Sequence, residues 1–176
     1  MLQLISGSPH PASANSRLLR AIGEVSGRPF RASDYLADLP VFQPDRNAAP
    51  PALVLRWREE LRTASGVVIS TPAYLHNVPG VLKNALDWLA SSGELAARPT
   101  LVFTYTPGPP RGDRARQSLL WSLEALDARV VGEGALYQSA GLLTASGDLA
   151  PGDDLDLIMA GLELLPPGYS RTTLEM

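Results

Sequence analysis

The chain has 176 residues, of which 45% are hydrophobic and 19% charged, and its net charge is −3. This length suits one core, so we expect a single domain over residues 1–176, and the acidic balance argues against a nucleic-acid partner. The absence of cysteine excludes thiol nucleophiles, disulfides and cysteine-ligated metals, and two histidines without ligand spacing give no reason to expect a metal site. No signal-peptide pattern and no apolar run of about 20 residues occurs, so we expect a cytoplasmic protein without a membrane segment.

Five short segments are candidate strands: four have an apolar or β-branched composition, and one, residues 29–36, has a mixed composition. They lie at residues 2–6, 29–36, 66–71, 100–105 and 128–132. Continuous apolar runs of this length are typical of strands that are covered on both faces.

Segments with helical periodicity separate these strands. Apolar residues recur every three or four positions over residues 14–25, 53–61, 81–89, 119–126 and 155–162. The alternation predicts an α/β protein, a parallel sheet with helices on both faces. Five strands in this length favour the flavodoxin-like doubly wound order. From Pro166 onward we expect a loose tail or an oligomer contact.

The loop after the first strand is rich in small polar residues. Gly7 permits a tight turn, and the start of the next helix adds free N–H groups and a positive dipole end, which together suit a phosphate group. The side-chain donors of this loop are Ser8, Ser13, Asn15 and Ser16. The same residue types are ordinary helix caps and loop formers, so both interpretations stay open.

His10 lies in the same loop and also admits two interpretations. It could donate a hydrogen bond to an anion, which would favour its charged form. It could equally be an exposed loop histidine without a ligand.

Two further loops follow the third and fourth predicted strands and would meet the first loop at the carboxyl edge of the sheet. In the stretch at residues 70–89, Pro72 and Pro79 stiffen a long turn and Tyr74 offers an aromatic surface. The stretch at residues 104–117 holds glycines that allow close backbone approach. Either an anionic substrate or solvent would face its arginines, Arg111, Arg114 and Arg116.

The first of these loops contains a short motif. Gly7 and Ser8 are followed by the basic His10 and then by Ser13 and Asn15 at the start of the helix. This order resembles the pattern G-S, basic residue, S-x-N of the NADPH-dependent FMN reductase family, which includes quinone, chromate and azo-dye reductases.

A longer stretch carries the same resemblance. TPAYL at residues 71–75 and PGVLKNALDW at residues 79–88 are similar to the family patterns T-P-E-Y-N and P-G-x-L-K-N-A-[IL]-D-W. DLPVF at residues 38–42 also resembles the family, and the likeness covers about residues 2–130.

The resemblance implies FMN as cofactor and NADPH or NADH as a transient electron donor. Hydride would pass from the nicotinamide to the flavin, and a flavin, a quinone or a similar small acceptor would then enter the same site, giving ping-pong kinetics. That step needs no side-chain acid or base, so no catalytic residue is assigned. The family also implies a homodimer or homotetramer.

The resemblance further assigns the cofactor contacts. The phosphate would be held by Ser8, His10, Ser13, Asn15 and Ser16. Largely through backbone groups, the isoalloxazine ring would be bordered by Pro72, Ala73, Tyr74 and Leu75. Its other side would be closed by Thr106 and Gly108. Tyr74 and the loop at residues 105–111 would shape the acceptor pocket.

Three places depart from the family pattern. His10 stands where arginine is usual, so a permanently charged phosphate contact becomes one that titrates near neutrality, and we expect weaker or pH-dependent FMN binding. Ala73 and Leu75 replace glutamate and asparagine, which leaves only backbone contacts there. Arg111 stands at the first of the paired glycines in the pattern S-x-G-x-x-G-G, after two prolines that stiffen the loop.

Two other functions are compatible with the same sequence. An electron carrier of the flavodoxin type would bind FMN without oxidising NAD(P)H, but such carriers tend to be strongly acidic, whereas this chain has a net charge of −3. A flavin-free binding protein would share the fold and purify without colour.

Overall fold

The structure is a computed structural model that describes residues 1–167, and within them five parallel strands form one sheet. The strands are β1 (Leu2–Ser6), β2 (Phe30–Ser33), β3 (Gly66–Thr71), β4 (Pro99–Thr106) and β5 (Arg129–Tyr137). Their order across the sheet is β2-β1-β3-β4-β5, so the direction of winding reverses between β1 and β3. The predicted doubly wound α/β fold is confirmed.

Helices cover both faces of this sheet. They are α1 (Ala14–Val25), α2 (Ala52–Arg62), α3 (Gly80–Asp87), α4 (Asp113–Ala125) and α5 (Asp153–Glu163). On one face α1 and α5 pack through Leu18 and Ile158 into a common apolar core. On the other face α2, α3 and α4 pack through Trp57, Leu82 and Leu119. Among residues 1–167, no helix has the length and apolar composition that crossing a membrane requires.

The carboxyl ends of β1, β3 and β4 lie side by side. In the parallel register Ser6 is opposite Ser70, and Thr71 is opposite Thr104. β3 and β4 are buried along their whole length, as their apolar sequences predict, because helices cover both of their faces. The loops that follow these strands therefore emerge together at one edge of the sheet.

The limits of β2 and β5 differ from the predicted segments. β2 ends at Ser33 rather than residue 36, because the chain turns into a short 3-10 helix at Leu36–Asp38. β5 continues to Tyr137 rather than ending at residue 132, because backbone pairing with β4 carries it through residues without an apolar run. The predicted tail from Pro166 lies largely outside the described residues.

Candidate functional site

A pocket of about 330 Å³ opens where the loops after β1, β3 and β4 meet. This volume lies at the lower end of the range that small-molecule and cofactor sites occupy. From the first loop and α1 the pocket is lined by Ser8, Ser13, Ala14 and Asn15. From the loop after β3 it is lined by Pro72, Ala73 and Tyr74. The remaining lining residues are Tyr105 and Thr106 of β4, Pro107 and Arg111 of the loop after β4, and Gln138, which follows β5.

Gly7 holds the first loop tightly against the end of β3. Its N–H donates to the carbonyl oxygen of Ser70 at 2.8 Å. A Cβ at this position would lie 2.3 Å from Oγ1 of Thr71, far inside van der Waals contact. The position therefore needs glycine, and that close approach lets the loop turn directly over the sheet edge.

The first turn of α1 presents backbone donors to the pocket. Ser13 is the N-cap, and its Oγ accepts the N–H of Ser16 at 3.1 Å. The N–H groups of Ala14 and Asn15 have no intrahelical acceptor at this position, and both residues line the pocket. The helix is 12 residues long, so its positive dipole end adds to these donors and favours an anion.

The side chain of Asn15 is engaged inside the protein. Its Nδ2 donates to the carbonyl oxygen of Tyr105 at 3.0 Å, and its Oδ1 accepts from Oγ of Ser70 at 2.7 Å. These bonds tie α1 to the ends of β3 and β4. Asn15 can therefore offer an anion its backbone N–H, while its amide positions the helix.

Ser8 and Ser16 have different environments although both were predicted to contact a phosphate. Ser8 is partly exposed on the pocket wall. Ser16 is buried, and its Oγ donates to Oγ of Ser6 at 2.9 Å beneath the loop. Ser16 therefore supports the loop from below and does not line the pocket.

His10 is exposed, and its ring folds back onto its own loop. Its Nδ1 accepts the N–H of Ala12 at 3.1 Å, which requires that Nδ1 carries no proton. The carbonyl oxygen of His10 accepts a hydrogen bond from the N–H of Ser13 at 3.0 Å. The imidazole contacts Ala12, just before the N-cap of α1, and does not line the pocket.

The loop after β3 contains a tight turn that carries Tyr74. Tyr74 and Asn77 exchange two backbone hydrogen bonds of 2.9 Å each. Between them Leu75 and His76 both have positive φ, 51° and 61°, as a type I′ turn requires. Tyr74 is half exposed at the pocket, whereas Leu75 is 99% exposed and does not line it.

The loop after β4 is held by short-range hydrogen bonds. Oγ1 of Thr106 donates to the carbonyl oxygen of Arg111 at 3.0 Å, and the N–H of Arg111 donates to the carbonyl oxygen of Gly108 at 3.1 Å. Gly112 has φ of 106° and is the N-cap of α4, and a Cβ there would lie 2.9 Å from Oγ1 of Thr104. Gly108 shapes this loop without lining the pocket.

The pocket is nearly free of charge. Among its lining residues, all of them within residues 1–167, Arg111 is the only one with a formal charge. Burial raises the pKa of Tyr105, with Arg17 acting against this shift and Asp154 adding to it, so the phenol stays protonated at neutral pH. No cluster of three or more metal-ligating side chains occurs in the described part of the chain.

The structure brings most of the predicted site residues around one pocket. Those that line it are Ser8, Ser13, Asn15, Pro72, Ala73, Tyr74 and Thr106. Those that lie nearby without lining it are His10, Ser16, Leu75 and Gly108. Sequence reasoning missed Ala14 and Gln138. Gln138 follows β5, whose true end was not visible from apolar composition, and Ala14 has no chemically distinctive side chain.

The fold places this chain among flavodoxin-like proteins, whose ligands bind at this edge of the sheet. Two solved structures show the same architecture. FerB, a flavoenzyme NAD(P)H:(acceptor) oxidoreductase from Paracoccus denitrificans, matches with a TM-score of 0.74 at 23% identity, covering 92% of each chain. An apo NADH:FMN oxidoreductase, EMOB, matches with a TM-score of 0.70 at 24% identity, covering 94% of this chain and 89% of its own.

Sequence comparison identifies the family. The profile of the NADPH-dependent FMN reductases matches residues 2–141. A quinone reductase of Escherichia coli is 36% identical over 138 residues, 74% of this chain and 73% of its own length. An NAD(P)H-dependent FMN reductase of Pseudomonas aeruginosa is 32% identical over 169 residues, 92% of this chain and 90% of its own. The chain belongs to the NADPH-dependent FMN reductase family, and it is an oxidoreductase that uses FMN and NAD(P)H.

The residues present fit FMN. The start of α1 offers backbone N–H groups, a serine hydroxyl and a positive dipole end to a phosphate. The remaining wall is uncharged except for Arg111, and it includes prolines and tyrosines that suit a flat, largely apolar ring.

Proposed function

We propose that this enzyme oxidises NAD(P)H and reduces quinones or similar small acceptors at the pocket on the carboxyl edge. The observation that carries this proposal is the continuity of the pocket, which joins the start of α1 to Tyr74 and Arg111 in one concave surface. Quinone reduction is the activity named for the Escherichia coli relative. When bound, FMN supplies the hydride and electron transfer chemistry, and the protein supplies binding and positioning.

Each part of the pocket has a separate role in this proposal. The N–H groups of Ala14 and Asn15 and the hydroxyls of Ser8 and Ser13 hold the phosphate, with Ser16 supporting the loop. His10 adds positive charge when it is protonated. The ring is bordered by Pro72, Ala73, Tyr74 and Leu75 on one side and by Thr106 and Gly108 on the other.

Turnover needs one open face for two successive ligands. The half-exposed Tyr74 stands at the pocket mouth, where donor and acceptor would enter in turn. The described pocket wall holds no carboxylate, histidine or lysine, and the proposal includes no side-chain acid–base step. Because donor and acceptor use the same face in turn, ping-pong kinetics are expected.

Flavin retention and steady-state kinetics test the function. Purified protein loaded with FMN should keep its flavin absorbance through gel filtration. Initial rates with NAD(P)H and 1,4-naphthoquinone should give parallel lines in double-reciprocal plots. Retained flavin without NAD(P)H oxidation would indicate an electron carrier instead, and protein that never retains FMN would contradict the proposal.

The role of His10 is tested by substitutions that change its charge. His10→Arg places a permanent cation in the loop before α1, so it should bind FMN about fivefold more tightly than His10→Ala.

His76→Asn is the matched control, because His76 is the other histidine of the chain and lies in the Leu75–His76 turn. Asparagine tolerates the positive φ of that position. This variant should keep the FMN affinity of the wild type. Equal affinities of His10→Arg, His10→Ala and the wild type would remove His10 from the phosphate site.

We further propose that the enzyme is a homo-oligomer that associates through α3 and α4. Trp121 of α4 is 64% exposed, and it lines a shallow groove of about 320 Å³ together with Leu86 of α3. An exposed tryptophan on a helix face is typical of an interface anchor. Trp121→Glu should shift the mass measured by light scattering to that of the monomer, whereas Leu164→Glu, at another exposed apolar residue, should not.

The cytoplasm is the proposed location, because reduced nicotinamide nucleotides are supplied there. Fractionation of cells that express the tagged chain tests this. Activity and protein should appear together in the cytosolic fraction, and recovery in the membrane pellet would contradict it.

A further inference from the structure

Arg111 is a charged residue in an otherwise uncharged pocket. The other lining residues in the described part of the chain are apolar, hydroxyl-bearing or amide-bearing. In the proposed function, this cation lies at the surface where NAD(P)H and the acceptor bind in turn.

The backbone at Arg111 is fixed from both sides. Its carbonyl oxygen accepts from Oγ1 of Thr106, and its N–H donates to the carbonyl oxygen of Gly108. The next residue, Gly112, caps α4 in a conformation that brings it against the side chain of Thr104. The loop therefore holds the origin of the Arg111 side chain at the pocket wall while the side chain itself stays exposed.

The Arg111 guanidinium has no anionic partner within residues 1–167. The acid nearest in the chain, Asp113, pairs with Arg116 at 3.8 Å. None of the ion pairs in the described part of the chain includes Arg111. A cation held at a pocket without a protein partner is available to pair with an anion of the ligand.

The phosphate of the cofactor has its own donors at a different part of the pocket. The start of α1 supplies them through Ser13, Ala14 and Asn15. Arg111 belongs to the loop after β4, which in the proposed arrangement borders the ring and the entry of the acceptor. A planar guanidinium offers two parallel N–H donors that match a carboxylate or sulfonate.

We propose that Arg111 determines acceptor specificity by binding the carboxylate or sulfonate of an anionic quinone-type acceptor. This inference rests on the proposed function for the entry of the acceptor at this pocket. It adds a substrate class, namely acceptors that carry a negative group beside the reducible ring. Arg111 acts in binding and takes no part in electron or proton transfer.

A matched pair of quinones tests this role. The ligands are 1,4-naphthoquinone and its 2-sulfonate, and the readout is the ratio of their dissociation constants on FMN-loaded protein, measured by calorimetry. Arg111→Gln should lower the preference for the sulfonate about fivefold, the effect of one partly exposed charge-assisted pair. Arg111→Lys should restore part of it, since it keeps the charge but not the fork geometry. The kcat/KM ratio of the two quinones should change in parallel.

Arg129→Gln is the control, because Arg129 is exposed at the amino end of β5, away from the pocket. It should leave the ratio unchanged. The inference would be overturned if Arg111→Gln left the ratio unchanged or weakened the binding of both quinones equally. It would also be overturned if Arg129→Gln changed the ratio by the same amount. Failure of the wild type to reduce either quinone would contradict the proposed function, whereas the binding ratio would still test Arg111.

Discussion

The polar groups at the carboxyl edge of the sheet differ in their bonding from those of a polar cluster beside β2, which consists of Gln3, Ser33, Tyr35, Arg56 and Glu60. In the cluster, Glu60 of α2 is 6% exposed, and its carboxylate accepts from Tyr35 at 2.7 Å, Arg56 at 2.9 Å and Ser33 at 3.1 Å. Gln3 of β1 joins through Ser33 at 2.5 Å. All these partners lie within the chain, so the cluster fastens the edge strand β2 to β1 and α2.

At the pocket, in contrast, several donors have no partner within residues 1–167. The first N–H groups of α1 have no intrahelical acceptor, and Arg111 forms no ion pair within residues 1–167. Polarity alone therefore does not mark a ligand site. Buried polar groups with partners inside the chain stabilise the fold, whereas groups that lack such partners at a pocket wall are available to a ligand.

Removing the Glu60 carboxylate should have the largest effect on stability. Glu60→Ala leaves the buried hydroxyl of Ser33 and the partly buried hydroxyl of Tyr35 without their acceptor, so the free energy of unfolding should fall by about 3 kcal/mol in urea titrations. Glu59→Ala is the control, because Glu59 forms only an exposed pair with Arg62, and it should cost less than about 0.5 kcal/mol. Similar losses in both variants would show that the buried carboxylate contributes no more than an exposed one.

A methyl group at Gly7 should destabilise the loop that lines the pocket. Gly7→Ala forces Cβ against Oγ1 of Thr71, so we expect a loss of about 2 kcal/mol of stability together with weaker FMN retention. Gly80→Ala, at a helical glycine where an added Cβ would meet nothing outside its own helix within 4 Å, should be neutral or slightly stabilising. Calorimetric melting of both variants decides this, and a neutral Gly7→Ala would show that the loop can move.

The contribution of the hydrogen bond between Tyr35 and Glu60 should be visible in how the free energy of unfolding changes at alkaline pH. Burial first, and then the hydrogen bond to Glu60, raises the pKa of Tyr35 above its ordinary value near 10. The folded protein therefore holds the Tyr35 proton more tightly than the unfolded chain does. The contribution of this bond to the free energy of unfolding is complete below pH 10 and is lost as the pH rises above 10. Tyr35→Phe should be about 1 kcal/mol less stable at pH 8 and should lose less stability than wild type between pH 8 and pH 11. Identical pH slopes would show that Tyr35 does not contribute.

A substitution in the turn that follows Tyr74 should have the smallest effect on stability, and it should stabilise the protein. Leu75 is almost fully exposed with φ of 51°, a conformation that asparagine tolerates better than leucine. Leu75→Asn should raise the free energy of unfolding by about 0.5 kcal/mol in urea titrations. Leu55→Asn, within α2, should instead lower it. Destabilisation by Leu75→Asn would show that the turn is not strained.

The two regions also differed in how far they could be predicted. The residues of the pocket loops stood out because small polar residues and glycines followed apolar strands. The cluster around Glu60 gave no such signal, because Gln3, Ser33 and Glu60 are distant in the chain and look like ordinary surface residues. Only folding brings them together, with Gln3 of β1 within hydrogen-bond distance of Glu60 of α2.

The sequence by itself determined the alternation of strands and helices, the doubly wound sheet and the family, because these depend on periodicity and on contiguous motifs. It also located the loops of the pocket. Tertiary structure alone decided that the amide of Asn15 binds Tyr105 and Ser70, that Ser16 lies beneath the loop, and that β5 runs on to Tyr137. These features depend on contacts between residues far apart in the chain, which local patterns do not encode.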